Sequence, residues 1–447
     1  MGYVFGGAEA RRFPLATVAL VIVNVVVYVL TSSANGFLST SQAYVYRLGY
    51  IPALLTSAEG ALRMLTSMFV HADILHILFN MYFLYIFGRG VEDLVGRRRF
   101  LLLYLLSGIG AALFHTAAAP ISGVEAIAIP AVGASGAISG VLGAYMMFFP
   151  RTSLVACFPV FFLPACFTVR AAAYLAFWFV LQVVYGYMRL GGVAYFAHAG
   201  GFIVGIALAW LLGSDRVYAA RAYTYVLSFF RYIVFRVRGE GLGGATKLVL
   251  VMLITATAVT MSYYSATTRV DLVSVYQLTA WVDGYGDTTF LRVSPDGSYD
   301  YVEPQIEYVS LVLLRLSRAN VLVNPSLAGE QLDTLQEPLR VTVPIRLQVY
   351  GTYISEDVPV VLQVRATYDE RGVVRLAEGR MYTEVVEVRV TYGRVVTRRV
   401  PSTFELSLTA TGPYTGESVR VAVLPSVLAS LVSAYVVARK DVELSVA

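Results

Sequence analysis

The stretch Ala131-Val-Gly-Ala-Ser-Gly-Ala-Ile-Ser-Gly-Val-Leu-Gly-Ala144 sets one hydroxyl, Ser135, among glycines at the start of an apolar helix that ends near Phe149. Gly136, Gly140 and Gly143 recur at i, i+4 and i+7, so one helix face carries almost no side chains. In a membrane such a face lets a neighbouring helix come unusually close, and a group on that neighbour can reach Ser135. Small-residue contacts of this kind are common and most carry no chemistry. The stretch therefore gains its meaning from what the rest of the chain brings to it.

The chain has 447 residues, 57% of them hydrophobic and 14% charged, with a mean hydropathy of +0.67. That composition excludes an ordinary soluble domain. Apolar segments near 14–31, 68–88, 99–119, 132–149, 171–188, 194–212 and 247–265 each approach the length needed to cross a bilayer. The Arg11-Arg12 pair before the first run resembles a signal peptide. That run is long enough to span and more spans come after it, so an uncleaved first helix is expected.

Charge gives the orientation. Residues 1–265 hold 17 Lys/Arg against 8 Asp/Glu, whereas residues 266–447 hold 17 against 21. The net charge of +5 thus belongs to the membrane part, and no nucleic-acid partner is expected. With a cytoplasmic N-terminus, Arg12, Arg97–Arg99, Arg151, Arg170, Arg216 and Lys247 fall inside and only Arg47, Arg63 and Arg189 outside. Residues 32–67 then form a long external connection. Residues 214–246, with Arg216, Arg221, Arg231, Arg236 and Arg238 among aromatics, read as a basic linker lying on anionic lipid. Residues 247–265 form a seventh helix that exports the C-terminal part of the chain.

From residue 266 the period becomes two. Leu339–Tyr350, Val358–Tyr368, Tyr382–Thr391 and Phe404–Thr411 alternate, with turn residues at 369–372 and 411–416. The run 423–437 is too short and interrupted to count as a span, so 266–447 is expected to be one β-rich extracytoplasmic domain, β-sandwich-like or barrel-like. Cys157 and Cys166 share one inter-helix segment and read as reduced thiols in a hydrophobic loop. Without accompanying histidines they also fail as a zinc site. The fold class is an all-α polytopic membrane helix bundle carrying a C-terminal β-rich domain.

Polar residues at membrane depth are costly and face a cavity or a partner. His71, His76, Asn80, Ser135 and His198 are such residues. His76 and Asn80 are four apart and share one helix face. His198 lies in Ala197-His-Ala-Gly-Gly-Phe-Ile-Val-Gly205, whose Gly201 and Gly205 give a small-residue face able to dock on Gly136, Gly140 and Gly143. With the orientation set by charge, Ser135, His198 and His76 fall in one layer, roughly 5 to 12 Å below the outer surface at 1.5 Å of rise per residue. Serine needs an adjacent base, which His198 can be. The His76 ring N–H, the Asn80 amide and the Ser135 backbone N–H can serve as oxyanion donors. No Asp or Glu lies in these helices, so a Ser–His dyad is expected. His115 reads as interfacial, and Glu92 and Asp93 as structural partners of Arg89 or Arg97–Arg99.

Here the chain resembles the rhomboid intramembrane serine proteases. Gly133-Ala-Ser-Gly136 matches the family's Gly-x-Ser-Gly, which implies Ser135 as nucleophile. His198-x-x-Gly201-x-x-x-Gly205 matches its sixth-helix motif, which implies His198 as base, and His76-x-x-x-Asn80 matches its oxyanion pair. Gly88-Arg-Gly-Val-Glu-Asp93, then Gly96 and Arg99-Phe100, resembles the stretch after the second helix. The resemblance covers about residues 10–213. Two features depart from it: the external connection lacks the Trp-Arg pair of many members, and Ser139 stands where an aromatic often packs on the histidine.

The resemblance implies a six-helix core in the cell membrane, no cofactor, and single-pass transmembrane protein substrates cut near the outer face. The competing readings are an inactive rhomboid-like binder of membrane proteins and a transporter; no internal repeat supports the transporter. Gly284-Tyr-Gly-Asp287 matches the short motif of intramembrane aspartyl proteases, but sits in a polar turn without a second membrane aspartate. Neither a strand-borne Gly-x-Ser-x-Gly elbow nor a His-Glu-x-x-His is present.

Overall fold

A computed structural model of the chain describes residues 3–6, 12–160, 163–190, 192–230, 241–268, 274–294, 296–301, 304, 306–332, 339–349, 352–391 and 394–445. It divides into two units, one of residues 1–271 with 416–447 and one of residues 272–415.

The first unit begins with a short strand, β1 (Tyr3–Gly6), and α1 (Leu15–Ser32). The connection over residues 32–67 holds α2 (Gln42–Leu48) and α3 (Ala58–Thr66), and α4 (Ile74–Val95) comes next. Asp73 starts α4 by accepting the His76 N–H at 2.9 Å. Gly96, at φ +85°, turns the chain directly into α5 (Arg97–Ala117). The short α6 (Ala119–Ser122) leads to α7 (Ser135–Phe148).

Glu92 pairs with Arg97 as expected, though at long reach, and its closest partners lie on α1. Its carboxylate accepts the Ala16 N–H at 2.9 Å, the Thr17 N–H at 2.8 Å and the Thr17 hydroxyl at 2.8 Å. Arg97 Nε stands 4.0 Å away, and Asp93 accepts the Arg12 N–H at 3.2 Å. The unpaired amides and positive dipole end of α1 attract a buried carboxylate more strongly than an exposed guanidinium does.

After α7 come β2 (Ser153–Val160) and β3 (Leu163–Arg170), which form with β1 an antiparallel sheet in the order β1-β2-β3. This corrects the expectation of a hydrophobic loop with reduced thiols. Register sets Cys157 opposite Cys166, and Cys166 is disulfide-bonded. Facing positions of an antiparallel pair lie about 4.5–5.5 Å apart at Cα, within the range a disulfide needs.

The chain continues into α8 (Ala171–Tyr187), α9 (Tyr195–Phe230) and α10 (Gly244–Thr267). The α9 helix runs past the expected membrane boundary at 212 through the first part of the basic linker. Arg99 fastens that extension by donating to the Leu212 carbonyl at 2.9 Å and to Asp215 at 2.6 Å. Arg231, Arg236 and Arg238 lie outside the described residues.

The second unit is β-rich, but it is not a sandwich. β4 (Ser274–Val282), β5 (Tyr285–Val293) and β6 (Tyr299–Tyr301) precede α11 (Glu307–Arg318). Beyond it lie β7 (Gln331–Leu332), β8 (Leu339–Val349), β9 (Thr352–Tyr368), β10 (Val374–Thr391) and β11 (Arg394–Tyr414). All belong to one sheet in the order β6-β5-β4-β11-β10-β9-β7, with β8 also paired to β9. One face of the sheet is buried by Val309, Val312, Leu313 and Leu316 of α11. Their i, i+3, i+4, i+7 spacing is an amphipathic helix, so one helix does the work expected of a second sheet. The Gly284 motif is a hairpin turn, with Asp283 and Gly284 both at positive φ.

A larger correction concerns the end of the expected β-rich domain. The second unit closes at Thr415, and the chain returns to the first unit as α12 (Glu417–Tyr435), a π-helical turn (Val436–Lys440) and α13 (Asp441–Leu444). The serines that interrupt 423–437 satisfy themselves: Ser426 and Ser430 donate to the carbonyls four residues back. Ser433 donates to the Ile203 carbonyl at 2.5 Å and Ser418 to the Ala53 carbonyl at 2.9 Å. Among the described residues six helical stretches, Glu417–Leu444 included, are long and apolar enough to cross a membrane; Ser135–Phe148 and Ala171–Tyr187 are shorter apolar helices.

Asp441, 2% exposed, receives Lys247 Nζ at 2.8 Å and the Leu242 N–H at 2.9 Å. Replacing Asp441 with Ala leaves a partly buried ammonium and an amide unmatched. The thermal midpoint of the purified protein in detergent should fall, by about 1–3 kcal/mol of stability, whereas Asp300→Ala, on an exposed pair with Arg292, should leave it nearly unchanged.

Candidate active site

Ser135 opens α7, and His198 lies in the first turn of α9. Backbone meets backbone between these helices. A Cβ at Gly201 would collide with the Gly136 carbonyl oxygen, one at Gly205 with that of Gly140, and one at Gly143 with that of Phe202. Ser107 of α5 fills the space beside Gly140 in the same way. This contact brings His198 Nε2 to 2.7 Å from Ser135 Oγ.

The other ring nitrogen, Nδ1, lies 2.9 Å from Gln182 Oε1 on α8. Among the described residues no Asp or Glu stands beside His198; an uncharged amide, which the dyad expectation does not include, takes that place. Trp178, one turn earlier on α8, lies against the imidazole with centroids 6.2 Å apart and planes 27° apart. It supplies the aromatic contact absent at Ser139, whose hydroxyl donates to the Ser135 carbonyl at 2.6 Å. An amide in the apolar run Ala171–Tyr187 was the available signal.

His76 faces the same point from α4. A Cβ at Gly133, φ +121°, would lie 2.8 Å from its Cε1 and Nε2. Its Nδ1 accepts the Ala72 N–H at 3.4 Å, which leaves the proton of the neutral ring on Nε2. Asn80 donates one amide hydrogen to the His76 carbonyl at 2.8 Å; the second is not used in that bond. The start of α7 has no side-chain cap. The Gly133 N–H goes to the Ser67 carbonyl at 2.9 Å and the Ala134 N–H to His71 Nε2 at 3.4 Å. The first-turn amides from Ser135 onward have no intrahelical acceptor.

His71, before α4, is fully buried. Its Nε2 accepts the Ala134 N–H, which ties it to the segment just before Ser135. His115 is not merely interfacial. With Tyr50, Ser67, Gly133, Ser135 and Ala197 it lines a cavity of about 50 Å³, room for a few waters. The four histidines of the chain thus all border the loop and helix start that carry Ser135. A larger open cavity of about 470 Å³ at Ser262, Thr268 and Arg420 includes none of these residues. Among the described residues no group of three or more His, Cys, Asp or Glu could hold a metal ion.

An anchor for the connection between α1 and α4 also exists. Arg63, 3% exposed, donates to the Tyr46 and Gly49 carbonyls and pairs with Glu59. Tyr50 and Ala131 exchange backbone bonds at 2.9 and 2.8 Å. The connection is therefore tied to the segment that enters α7.

Comparison with known proteins matches residues 58–215 to the Rhomboid domain family. The mitochondrial RHOMBOID-like protein 6 of Arabidopsis thaliana is 30% identical over 179 residues, 40% of this chain and 52% of that protein. The mitochondrial Rhomboid protein 1 of Saccharomyces cerevisiae is 31% identical over 150 residues, 33% of this chain and 40% of that protein. Rhomboid protease GluP of Bacillus subtilis is 39% identical over 84 residues, 19% of this chain and 15% of that protein. The chain spans about half the length, or less, of these curated relatives.

The α7–α9 contact has a direct test. Gly201→Val should cost about 1–3 kcal/mol or more of stability and carry His198 away from Ser135. Both appear together as a lowered thermal midpoint and lost labelling by a serine-directed fluorophosphonate. Gly244→Ala, which meets nothing within 4 Å, should leave both readouts near wild type.

Proposed function

This chain is a multi-pass membrane protein of the rhomboid family, and we propose that it is an intramembrane serine endopeptidase acting through Ser135 and His198. The observation that carries the reading is the 2.7 Å contact between Ser135 Oγ and His198 Nε2, made at an uncapped helix start that His76 overhangs.

The geometry supports a course in two stages, acylation and hydrolysis. His198 Nε2 takes the hydroxyl proton as Ser135 Oγ attacks the scissile carbonyl carbon. Negative charge gathers on the carbonyl oxygen, where the Ser135 N–H, the His76 Nε2–H and the second Asn80 amide hydrogen can act as donors. The imidazolium returns the proton to the leaving amine, and the peptide C–N bond breaks to leave an acyl ester on Ser135. A water then gives a proton to His198 and its oxygen to the acyl carbon, and Ser135 is released as the alcohol. No cofactor enters.

Substrates are single-pass transmembrane proteins cut near the outer membrane face. A regular helix keeps its carbonyls in its own hydrogen bonds, so the segment at the scissile bond must unwind before Ser135 can reach it. The distribution of basic residues supports a cytoplasmic N-terminus in a cell membrane, with residues 272–415 on the outer side between α10 and α12. Two of the relatives carry mitochondrial names, and the same orientation in such a membrane would put Ser135 toward the corresponding outer compartment. The β1–β3 sheet and the Cys166 disulfide then face inward, which calls for a compartment that tolerates disulfides on that side.

The test uses purified protein in liposomes with a panel of labelled single-helix substrates. Cleavage by the wild type is expected to vanish in Ser135→Ala and His198→Ala, and His76→Ala should lower kcat by roughly 10²–10³. Cleavage that survives Ser135→Ala sinks this mechanism. A wild type that binds the helices without cutting any of them favours a binding protein.

A further inference from the structure

We propose that Gln182 is a positioning residue that selects the His198 tautomer able to act as base, with Trp178 fixing the plane of the same ring. The inference rests on the reading of Ser135 and His198 as nucleophile and base, and adds a third member to what the sequence presents as a dyad.

A neutral imidazole carries its proton on one nitrogen or the other. Only the Nδ1–H form leaves a lone pair on Nε2 facing Ser135 Oγ; in the Nε2–H form the ring is a donor toward the serine and cannot take its proton. Gln182 Oε1, 2.9 Å from Nδ1, is an acceptor and so favours the Nδ1–H form. Gln182 is 8% exposed, so few waters compete for that nitrogen. Without the amide oxygen, an Nδ1–H in this apolar setting would be unmatched and costly, and the ring would drift toward the unproductive tautomer.

The two side chains act from one place. Residues 178 and 182 are one turn apart on α8 and share a face. Trp178 also rests on Phe202 of α9, centroids 5.9 Å apart, so the indole is wedged between His198 and the helix that bears it. When His198 takes the serine proton, the amide oxygen and the indole face both favour the cation. A carboxylate at 182 would serve the tautomer as well, but would set a full charge at membrane depth. The amide supplies direction without that charge.

The experiment compares the whole protein with Gln182→Met and Gln182→Glu. Gln182→Met keeps length and apolar bulk but removes the acceptor, and Gln182→Glu keeps an acceptor oxygen at the same reach. Three readouts are taken: kcat and KM on a cleaved single-helix substrate, the thermal midpoint, and ¹⁵N-histidine NMR spectra, with His198→Asn assigning the His198 signals. Gln182→Met is expected to lower kcat about 10–100-fold with KM and midpoint near wild type, and to shift His198 out of the Nδ1–H form. Gln182→Glu is expected to restore both kcat and that form.

An Nδ1–H signal that persists unchanged in Gln182→Met overturns the proposal. So does a loss of kcat that merely tracks the midpoint and that Gln182→Glu does not repair, since that describes packing. A wild type that cleaves no substrate counts against the protease reading alone, because the tautomer is read without turnover.

Discussion

The backbone contact between α7 and α9 is the constraint on which the rest of the site depends. Gly201 rests on the Gly136 carbonyl and Gly205 on that of Gly140, a separation no residue with a Cβ allows. Lipid tails are as apolar as leucine, so in a membrane the hydrophobic effect does little to press helices together and close van der Waals packing does more. Glycine weakens a helix on entropic grounds, yet here it recurs through the two central ones. Ser135 and His198 stand at the mouth of this seam. His198 reaches Ser135 because nothing stands between their backbones.

Around that seam, polar groups are settled by hydrogen bonds to backbone as well as by ion pairs. Glu92 closes the start of α1, Asp441 closes the approach to α10, and Thr and Ser hydroxyls along α10 and α12 turn back to their own helix carbonyls. A buried polar atom without a partner costs more than the hydrogen bond itself contributes. The first turn of α7 keeps donor amides without a side-chain cap, and in the proposed reaction that is where the anionic intermediate forms.

Much of this arrangement was legible in the residues. Ser135, His198, His76 and Asn80 could be found because helical spacing and small-residue faces place them on neighbouring helices before any fold is known, and the helix lengths follow from hydropathy. Gln182 and Trp178 escaped because no local pattern ties α8 to His198; their role exists only once α8 is laid beside α9. His115 escaped for the same reason, since its cavity is built from α5, α7 and the segment entering α9. The α12 span was missed because its serines look like interruptions until their hydroxyls are seen to bond within the helix. In the second unit the 309, 312, 313, 316 spacing of α11 was readable, and overlooking it turned a single sheet covered by a helix into an expected sandwich. The Cys157–Cys166 register depended on a hairpin that sequence spacing alone does not reveal.

The return of the chain through α12 also bears on how the protein is made. Residues 272–415 are spliced between two helices of one unit, and α12 supplies partners for the Ala53 and Ile203 carbonyls while Asp441 secures Lys247. The glycine seam and the four-histidine cluster can assemble as soon as α9 has left the ribosome. The helix that braces them is synthesised only after the whole inserted unit. For the time of that synthesis the nascent molecule holds a built but unbraced site, so assembly is closed by its latest-made segment, and a synthesis stalled inside the insert would leave the membrane unit open on the side where α12 belongs.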